Sequence, residues 1–208
     1  QIVQKAVSDI PGQIVPFYVS SEHFGIHSLK PFHSSHQPKI EVETVRLDET
    51  LDKLNIQNVS FLKVDIEGAD LLALKSFDFN RFRPPVVMCE FMDARTQLHF
   101  GYTHHDIVNF MSNFGYSTYV SEWSPVLEYG RKGETTSSFQ ELVRFLPWKP
   151  DLSPVWGNLI FVPHSEAKAL ELCYRRLVSK VKLLSSLRSV PFLRKAYQMT
   201  KRIIQKRN

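Results

Sequence analysis

The chain has 208 residues, of which 43% are hydrophobic and 23% charged. This balance is typical of a folded globular protein and excludes a chain that is disordered throughout. The two cysteines exclude a disulfide-stapled scaffold and a four-cysteine zinc site. No apolar run approaches the roughly 20 residues that an α-helix needs to span a bilayer.

Charge is distributed unevenly along the sequence. The chain carries 26 basic and 21 acidic residues, a net charge of +5. Residues 164–208 hold 12 of the basic residues and only two acids, Glu166 and Glu171, which gives +10. Residues 1–163 then hold 14 basic and 19 acidic residues, which gives −5. We therefore divide the chain into a mildly acidic body, residues 1–163, and a strongly basic tail, residues 164–208.

The first 45 residues predict three strands and one long loop. β-branched and aromatic residues favour strands over residues 1–7, 14–19 and 40–45. The turn chemistry of residues 8–12 predicts that the first two strands form a hairpin-like unit. Residues 20–39 form a polar loop of a length that is usually functional or disordered. Four histidines lie in this loop, His23, His27, His33 and His36.

The middle of the chain alternates between strand and helix patterns. Helices are expected at 47–54, 68–75 and 104–115, and buried strands at 59–65 and 86–91. This alternation predicts an α/β fold with a parallel sheet, in which ligands bind beyond the carboxyl ends of the strands. Later strands are expected at 116–120 and 158–162, whereas the turn-rich residues 124–154 carry no assignment.

Acidic residues follow two of these strands. Asp65 and Glu67 precede Gly68, which allows a tight turn or a close approach to a ligand. The two carboxylates could act as a general base and its orienting partner, share a metal, or bind ligand hydroxyls. The alternative is that one of them only caps the helix over 68–75. Glu90 ends an apolar strand and therefore needs a ligand, solvent or an arginine partner; the arginines considered are Arg81, Arg83 and Arg95.

Three segments of the body together resemble the FkbM-type methyltransferase family. They read VETVRLD at 42–48, FLKVDIEGAD at 61–70 and VVMCEF at 86–91. Shorter matches are KAVSD at 5–9 with Gly12, Ser28-Leu29 after Gly25, and GNLIF at 157–161. The resemblance covers about residues 1–163, and its one departure is Asp70, where the family usually has Glu.

The resemblance implies a Rossmann-like class I methyltransferase that uses S-adenosylmethionine and methylates a hydroxyl of a small molecule or glycan. It places Asp65 and Glu67 in the catalytic site, and Ala6, Val7 and Asp65 at the cofactor. It places Ser28, Glu67 and Glu90 at the substrate, with Ser28 in the loop that covers the site.

Two features of that family are not found upstream of Ala6. These are the glycine-rich cofactor loop after the first strand and the acid after the second. Gly12 and Gly25 do not replace the loop, because no helix pattern follows either of them. We therefore expect an N-terminally truncated sheet that lacks its first two strands, and a fragment that is inactive alone. The alternative is a non-catalytic α/β domain that binds a partner or an anionic membrane through its basic tail.

No metal site is expected. His104 and His105 are adjacent, so on a helix their side chains point about 100° apart and chelate poorly. We expect His104 to meet solvent or a carboxylate.

The tail carries apolar residues at helical spacing over 167–187, a break at Pro191 and a second such pattern over 192–204. One interpretation is a helix packed on the sheet followed by a solvated extension. The other is a helix that lies on anionic membrane lipids, with peripheral contact through 167–204. Nucleic acid is not expected, since few aromatic residues accompany the charges. The expected location is the cytoplasm, with membrane association through the tail.

Overall fold

The computed structural model describes residues 1–23, 25–124 and 141–189, the last ten of these as helical backbone. The chain forms two compact units, Gln1–His164 (unit 1) and Ser165–Asn208 (unit 2). The fold is a mixed α/β fold. In unit 2 the described element is α5 (Ala167–Ser189), which follows a short 3₁₀ turn at His164–Glu166. Within the described part of the chain, no helix is both long enough and apolar enough to cross a bilayer.

Unit 1 contains two sheets and four α-helices in its described part. The first sheet has the strand order β1-β3-β2, and the second has the order β4-β5-β8-β6-β7. The strands are β1 (Ala6–Val7), β2 (Ile14–Ser20), β3 (His36–Val45), β4 (Leu62–Val64), β5 (Val87–Phe91), β6 (Tyr116–Trp123), β7 (Leu142–Pro147) and β8 (Gly157–Pro163). The helices are α1 (Leu47–Lys53), α2 (Asp70–Lys75), α3 (Asp93–Phe100) and α4 (His104–Ser112).

The expectation of a parallel sheet holds for β4 and β5 and is wrong for the other strand pairs of the five-stranded sheet. In the five-stranded sheet, β4 and β5 are parallel, whereas β8 runs antiparallel to both β5 and β6, and β6 runs antiparallel to β7. Alternating strands and helices produce parallel neighbours only where a crossover helix connects them, and here that unit is β4-α2-β5. Its carboxyl end is the part of the sheet that carries the acidic turn.

The predicted hairpin of the first two strands is also wrong, because both strands pair with β3 instead of with each other. β1 runs parallel to β3, and β2 runs antiparallel to it. The turn between them crosses the end of β3, where the Ser8 amide donates to the Val45 carbonyl and the Gly12 amide to the Thr44 carbonyl. β1 is shorter than the predicted 1–7, and β3 begins at His36, inside the predicted loop, because His36 pairs with Ser20.

The core of unit 1 lies between the five-stranded sheet and its helices. β5 alternates in burial, so that Val87, Cys89 and Phe91 are buried. An aromatic group continues the core, with the Phe79 ring 4.8 Å from that of Phe77 and 5.9 Å from that of Tyr116. Burying a side chain of this size contributes about 1.5–3 kcal/mol, so the sheet position of β5 is strongly fixed.

Two elements were not predicted. α3 has no continuous apolar stripe, and of its residues only Arg95 and Thr96 are buried. β7 lies in the turn-rich part of the sequence and is positioned by its pairing with β6.

The predicted helix over 104–115 ends at Ser112, because the chain turns at Gly115, whose φ is +75°. The helix expected over 167–187 is confirmed as α5, whereas Pro191 and the pattern at 192–204 lie outside the described residues.

A substitution of Gly157, the first residue of β8, tests how closely the central strands pack. Its φ is +153°, and a Cβ there would lie 2.1 Å from the Ser121 carbonyl oxygen. Gly157→Ala should lower the free energy of unfolding by roughly 3–4 kcal/mol, because a backbone atom cannot yield as a side chain would. Gly12→Ala is the matched control, since its φ is +77° with no atom within 4 Å of the added Cβ, and should cost only about 1–2 kcal/mol. Urea unfolding followed by tryptophan fluorescence measures the loss of unfolding free energy in both variants. Equal losses would contradict the close contact between position 157 and the Ser121 carbonyl oxygen.

Candidate functional site

The acidic turn after β4 has a backbone conformation that its sequence does not favour. Glu67 has a φ of +57° and Gly68 a φ of +103°. The left-handed value at Glu67 costs of order 1 kcal/mol or more, and such residues concentrate at functional sites. Glycine is required next to it, because a Cβ at position 68 would lie 2.6 Å from the ring of Phe100. The turn is therefore a built feature that directs the Glu67 side chain.

Three side chains hold this turn, one from the adjoining start of α2 and two from distant parts of the chain. The Asp70 carboxylate accepts hydrogen bonds from the amides of Gly68 (3.0 Å) and Ile66 (3.3 Å). Tyr102 donates its hydroxyl to the Gly68 carbonyl at 2.8 Å, and Ser28 donates its hydroxyl to the Glu67 carbonyl at 2.9 Å. Asp70 thus binds amides of the turn itself, and α2 has no side-chain cap, so the alternative in which Asp65 or Glu67 only caps the helix is wrong.

Asp70 is almost completely buried, with 1% of its surface exposed. Burial raises the pKa of its carboxyl to about 6, while the amides of Ile66 and Gly68 favour the ionised form. The carboxylate therefore holds the turn in place most firmly near and above neutral pH.

Arg95 on α3 connects the acidic turn to β5. Its guanidinium forms an ion pair with Glu67 and donates to Glu90 Oε2 at 2.7 Å. It also lies over the ring of Phe32, 5.0 Å from the ring centroid. Arg95 is thus the partner of Glu90 among the three arginines considered from the sequence. Its side chain is 5% exposed, so the pair sits where water screens it little.

Glu90 has a second partner, the indole of Trp156, whose Nε1 donates to Oε1 at 2.8 Å. Burial raises the pKa of Glu90 to about 8, and the negative charges of Asp65 and Asp70 add to this rise. The Trp156 hydrogen bond opposes the rise, and so does the adjacent Arg95 cation. Both carboxylate oxygens of Glu90 are therefore already in use inside the protein.

A cavity of about 280 Å³ opens beside the turn. Four of the residues predicted for the site line it: Ala6, Val7, Asp65 and Glu67. His27 of the polar loop also lines it, and the lining residues that the sequence did not assign to the site include Lys5, Phe17 and Leu29. Residues from β1, from β2 and the loop after it, and from the end of β4 thus meet in one hollow.

Ser28 and Glu90 are placed differently. Ser28 is 1% exposed and is absent from the cavity lining, although its neighbours His27 and Leu29 belong to it. Glu90 also lies outside the lining, yet ligand atoms of Asp65, Glu67 and Glu90 all lie within 4.8 Å of one another. Carboxylate oxygens of the three acids therefore lie close together, but of the three only Asp65 and Glu67 line the cavity.

Three clustered carboxylates are also the kind of group that holds a metal ion. Here the guanidinium of Arg95 supplies positive charge to two of them, Glu67 and Glu90.

His104 meets a carboxylate, as expected, since its Nδ1 lies 2.6 Å from Asp93 Oδ2. That pair ties the start of α4 to the start of α3, the helix that carries Arg95.

The supporting residues were harder to find in the sequence than the acids. A glutamate within an apolar strand signals a buried partner, and this signal put Arg95 among the candidates. Trp156 and Tyr102 lie 66 and 34 residues from the atoms that they bind. No local pattern marks such long-range contacts.

A comparison with known protein families assigns the chain to one of them. The family model described as the Methyltransferase FkbM domain matches residues 1–118. The chain therefore belongs to the FkbM methyltransferase family, and the resemblance read from its motifs is confirmed. The match covers the N-terminal part of the chain, including the acidic turn, Glu90 and Arg95, and ends before the GNLIF segment at 157–161. No curated protein and no solved structure gives a significant match.

The raised pKa of Glu90 predicts how stability depends on pH. Between the ordinary carboxyl pKa of 4.5 and the folded value of about 8, folded Glu90 keeps a proton that the unfolded chain has released. Its contribution to stability is therefore present at low pH and is lost as the pH rises through about 8. Above about pH 6, where Asp70 no longer contributes, the wild-type unfolding free energy should fall relative to that of Glu90→Gln by at most about 1.4 kcal/mol per pH unit.

Urea unfolding at several pH values between about 6 and 8 checks this prediction. Glu41→Gln, an exposed acid on β3, is the control and should keep the wild-type slope. A wild-type stability that rises relative to Glu90→Gln over this range would mean that Arg95 keeps Glu90 ionised.

Proposed function

We propose that this protein is an S-adenosylmethionine-dependent methyltransferase that methylates a hydroxyl oxygen of a small molecule or glycan. The observation that carries the proposal is that Ala6, Val7, Asp65 and Glu67 line one cavity in a member of the FkbM methyltransferase family. Membership of this family favours the enzyme over a non-catalytic binding domain. A site at the carboxyl end of β4, next to the parallel strand β5, also supports a Rossmann-like arrangement.

The cavity suits one part of the proposed cofactor. Asp65 and Glu67 offer carboxylates to a cationic centre and to hydroxyl groups, whereas Ala6 and Val7 present small apolar side chains. Its volume of about 280 Å³ lies just below the range for ligand pockets, about 300–1,000 Å³. The described cavity therefore fits a portion of the cofactor or the acceptor, and not both together.

Asp65 is the better candidate for the general base. Its side chain is 38% exposed and its ion pair with Lys63, at 2.5 Å, is on the surface, where such pairs are weak. Glu67 is 17% exposed and is held by the buried Arg95, so it is suited to orienting the acceptor.

When bound, the cofactor supplies an electrophilic methyl group. Asp65 would accept the proton of the acceptor hydroxyl as that methyl group is transferred to its oxygen, and Glu67 would hold the acceptor in place. Holding the acceptor in line could lower the barrier by about 7–11 kcal/mol, so the rigid turn matters as much as the base.

Ser28 and Glu90 fit supporting roles in this proposal. The Ser28 hydroxyl is used by the Glu67 carbonyl, and the Glu90 carboxylate is used by Arg95 and Trp156. Each thereby fixes the position of Glu67.

Substitution of the two cavity acids separates their roles. In the complete gene product, Asp65→Asn should lower kcat by about 100-fold or more, the usual contribution of a general base, while the Kd for S-adenosylmethionine changes less than tenfold. Glu67→Gln should retain more of kcat and raise the KM of the acceptor. Asp151→Asn, an exposed acid in a loop, is the matched control and should behave as wild type.

The measurements are calorimetric titration with S-adenosylmethionine and transfer of a radiolabelled methyl group to a panel of glycans and hydroxylated small molecules. An unchanged kcat in Asp65→Asn would reject the base assignment. If the complete protein neither binds the cofactor nor transfers methyl groups to any acceptor of the panel, the proposed function itself is rejected.

A further inference from the structure

One side of α5 exposes a mixture of apolar and basic side chains. Successive residues of an α-helix are about 100° apart, so positions spaced i, i+1, i+4, i+5, i+8 and i+9 fall within one half of its circumference. Six such positions of α5 are all exposed, and we call them the α5 face. They are Lys168, Ala169, Leu172, Cys173, Arg176 and Leu177.

The composition of the α5 face differs from that of an ordinary solvated helix. Leu172 is 48% exposed and Leu177 is 61% exposed, so both keep much apolar surface in contact with water. Two of the other members, Lys168 and Arg176, are basic, and none is acidic. The acid of this helix, Glu171, lies off the face and is 4.0 Å from Arg175.

The sequence around the α5 face has the same sign of charge. Residues 164–208 carry a net charge of +10, whereas residues 1–163 carry −5. A single-sign charge of this size attracts an anionic surface over about one Debye length, roughly 8 Å at physiological ionic strength.

We propose that the α5 face binds the surface of an anionic lipid bilayer, with the helix lying in the plane of the membrane. Leu172 and Leu177 enter the boundary between headgroups and acyl chains, and Lys168 and Arg176 extend their charged ends to lipid phosphates. Each basic side chain near an anionic bilayer contributes about 1 kcal/mol. The helix lies on the bilayer and does not cross it.

Charge complementarity and exposed leucines together favour lipid over nucleic acid. A nucleic acid would neutralise the basic side chains but would leave Leu172 and Leu177 against a polar backbone. Single-stranded nucleic acids also bind by stacking on aromatic rings, and the α5 face contains none among its six residues. A bilayer surface accepts both kinds of side chain at once.

Vesicle flotation of the complete 208-residue chain tests the proposal. The probes are vesicles of phosphatidylcholine alone and vesicles containing about 30% phosphatidylserine, each in about 50 mM and 500 mM NaCl. We expect binding to the phosphatidylserine vesicles at low salt, strongly reduced binding at high salt, and little binding to neutral vesicles. This experiment requires no methyl transfer, so its result is independent of the proposed enzyme activity.

Two double variants test whether the α5 face is the surface that binds lipid. Lys168→Gln with Arg176→Gln should weaken partitioning about 30-fold, the equivalent of two contacts of about 1 kcal/mol each. The matched control, Lys39→Gln with Lys149→Gln, removes the same charge from exposed positions of unit 1 and should have little effect. Leu172→Ser with Leu177→Ser should weaken binding at least about tenfold, whereas the control Ile40→Ser with Leu98→Ser, also at exposed positions, should not.

Circular dichroism checks that each variant keeps its helix content. The proposal is overturned if the wild-type chain does not float with phosphatidylserine vesicles at low salt, or if it floats equally with neutral vesicles. It is also overturned if both α5 pairs bind like their controls, or if a single-stranded RNA oligonucleotide binds more tightly than the anionic vesicles and competes with them.

Discussion

The site depends on one buried cation, the guanidinium of Arg95, placed between Glu67 and Glu90. Two carboxyl groups this close repel each other when both are ionised in a region with little water, and each loses much of its hydration. With the cation between them, the end of β4 and the end of β5 are joined through side chains as well as through the sheet. Removing Arg95 would leave two buried acids without their main partner, which typically costs 3–5 kcal/mol.

The acidic turn shows how the rest of the protein supports a locally unfavourable backbone. Glu67 adopts a left-handed conformation that most residues avoid. Ser28 and Tyr102 donate hydrogen bonds to the carbonyls of Glu67 and Gly68, and Asp70 accepts from an amide of the same turn. The conformation is thus imposed from three directions, which fixes the two cavity acids relative to each other.

The sequence predicted the acids well and their surroundings poorly, for a physical reason. Asp65 and Glu67 follow a buried strand and precede Gly68, a local pattern with few interpretations. The pairing of β1 and β2 with β3 is not local, since it depends on contacts about 30 residues apart. α3 was missed because it has no apolar stripe, and its main buried side chain, Arg95, is one that a helix normally exposes. The burial of such a charged side chain can be predicted only when both members of its ion pair are considered together.

The loop between β2 and β3 contacts both members of the Arg95–Glu67 ion pair. The Ser28 hydroxyl donates to the Glu67 backbone carbonyl, and the ring of Phe32 packs against the Arg95 guanidinium. It also supplies Gly25, His27 and Leu29 to the cavity wall. Loop order and carboxylate geometry are therefore energetically coupled. The cavity wall and the ion pair share Glu67 and this loop, so a ligand that displaced water from the cavity would reduce the screening of the ion pair and restrain the loop at the same time.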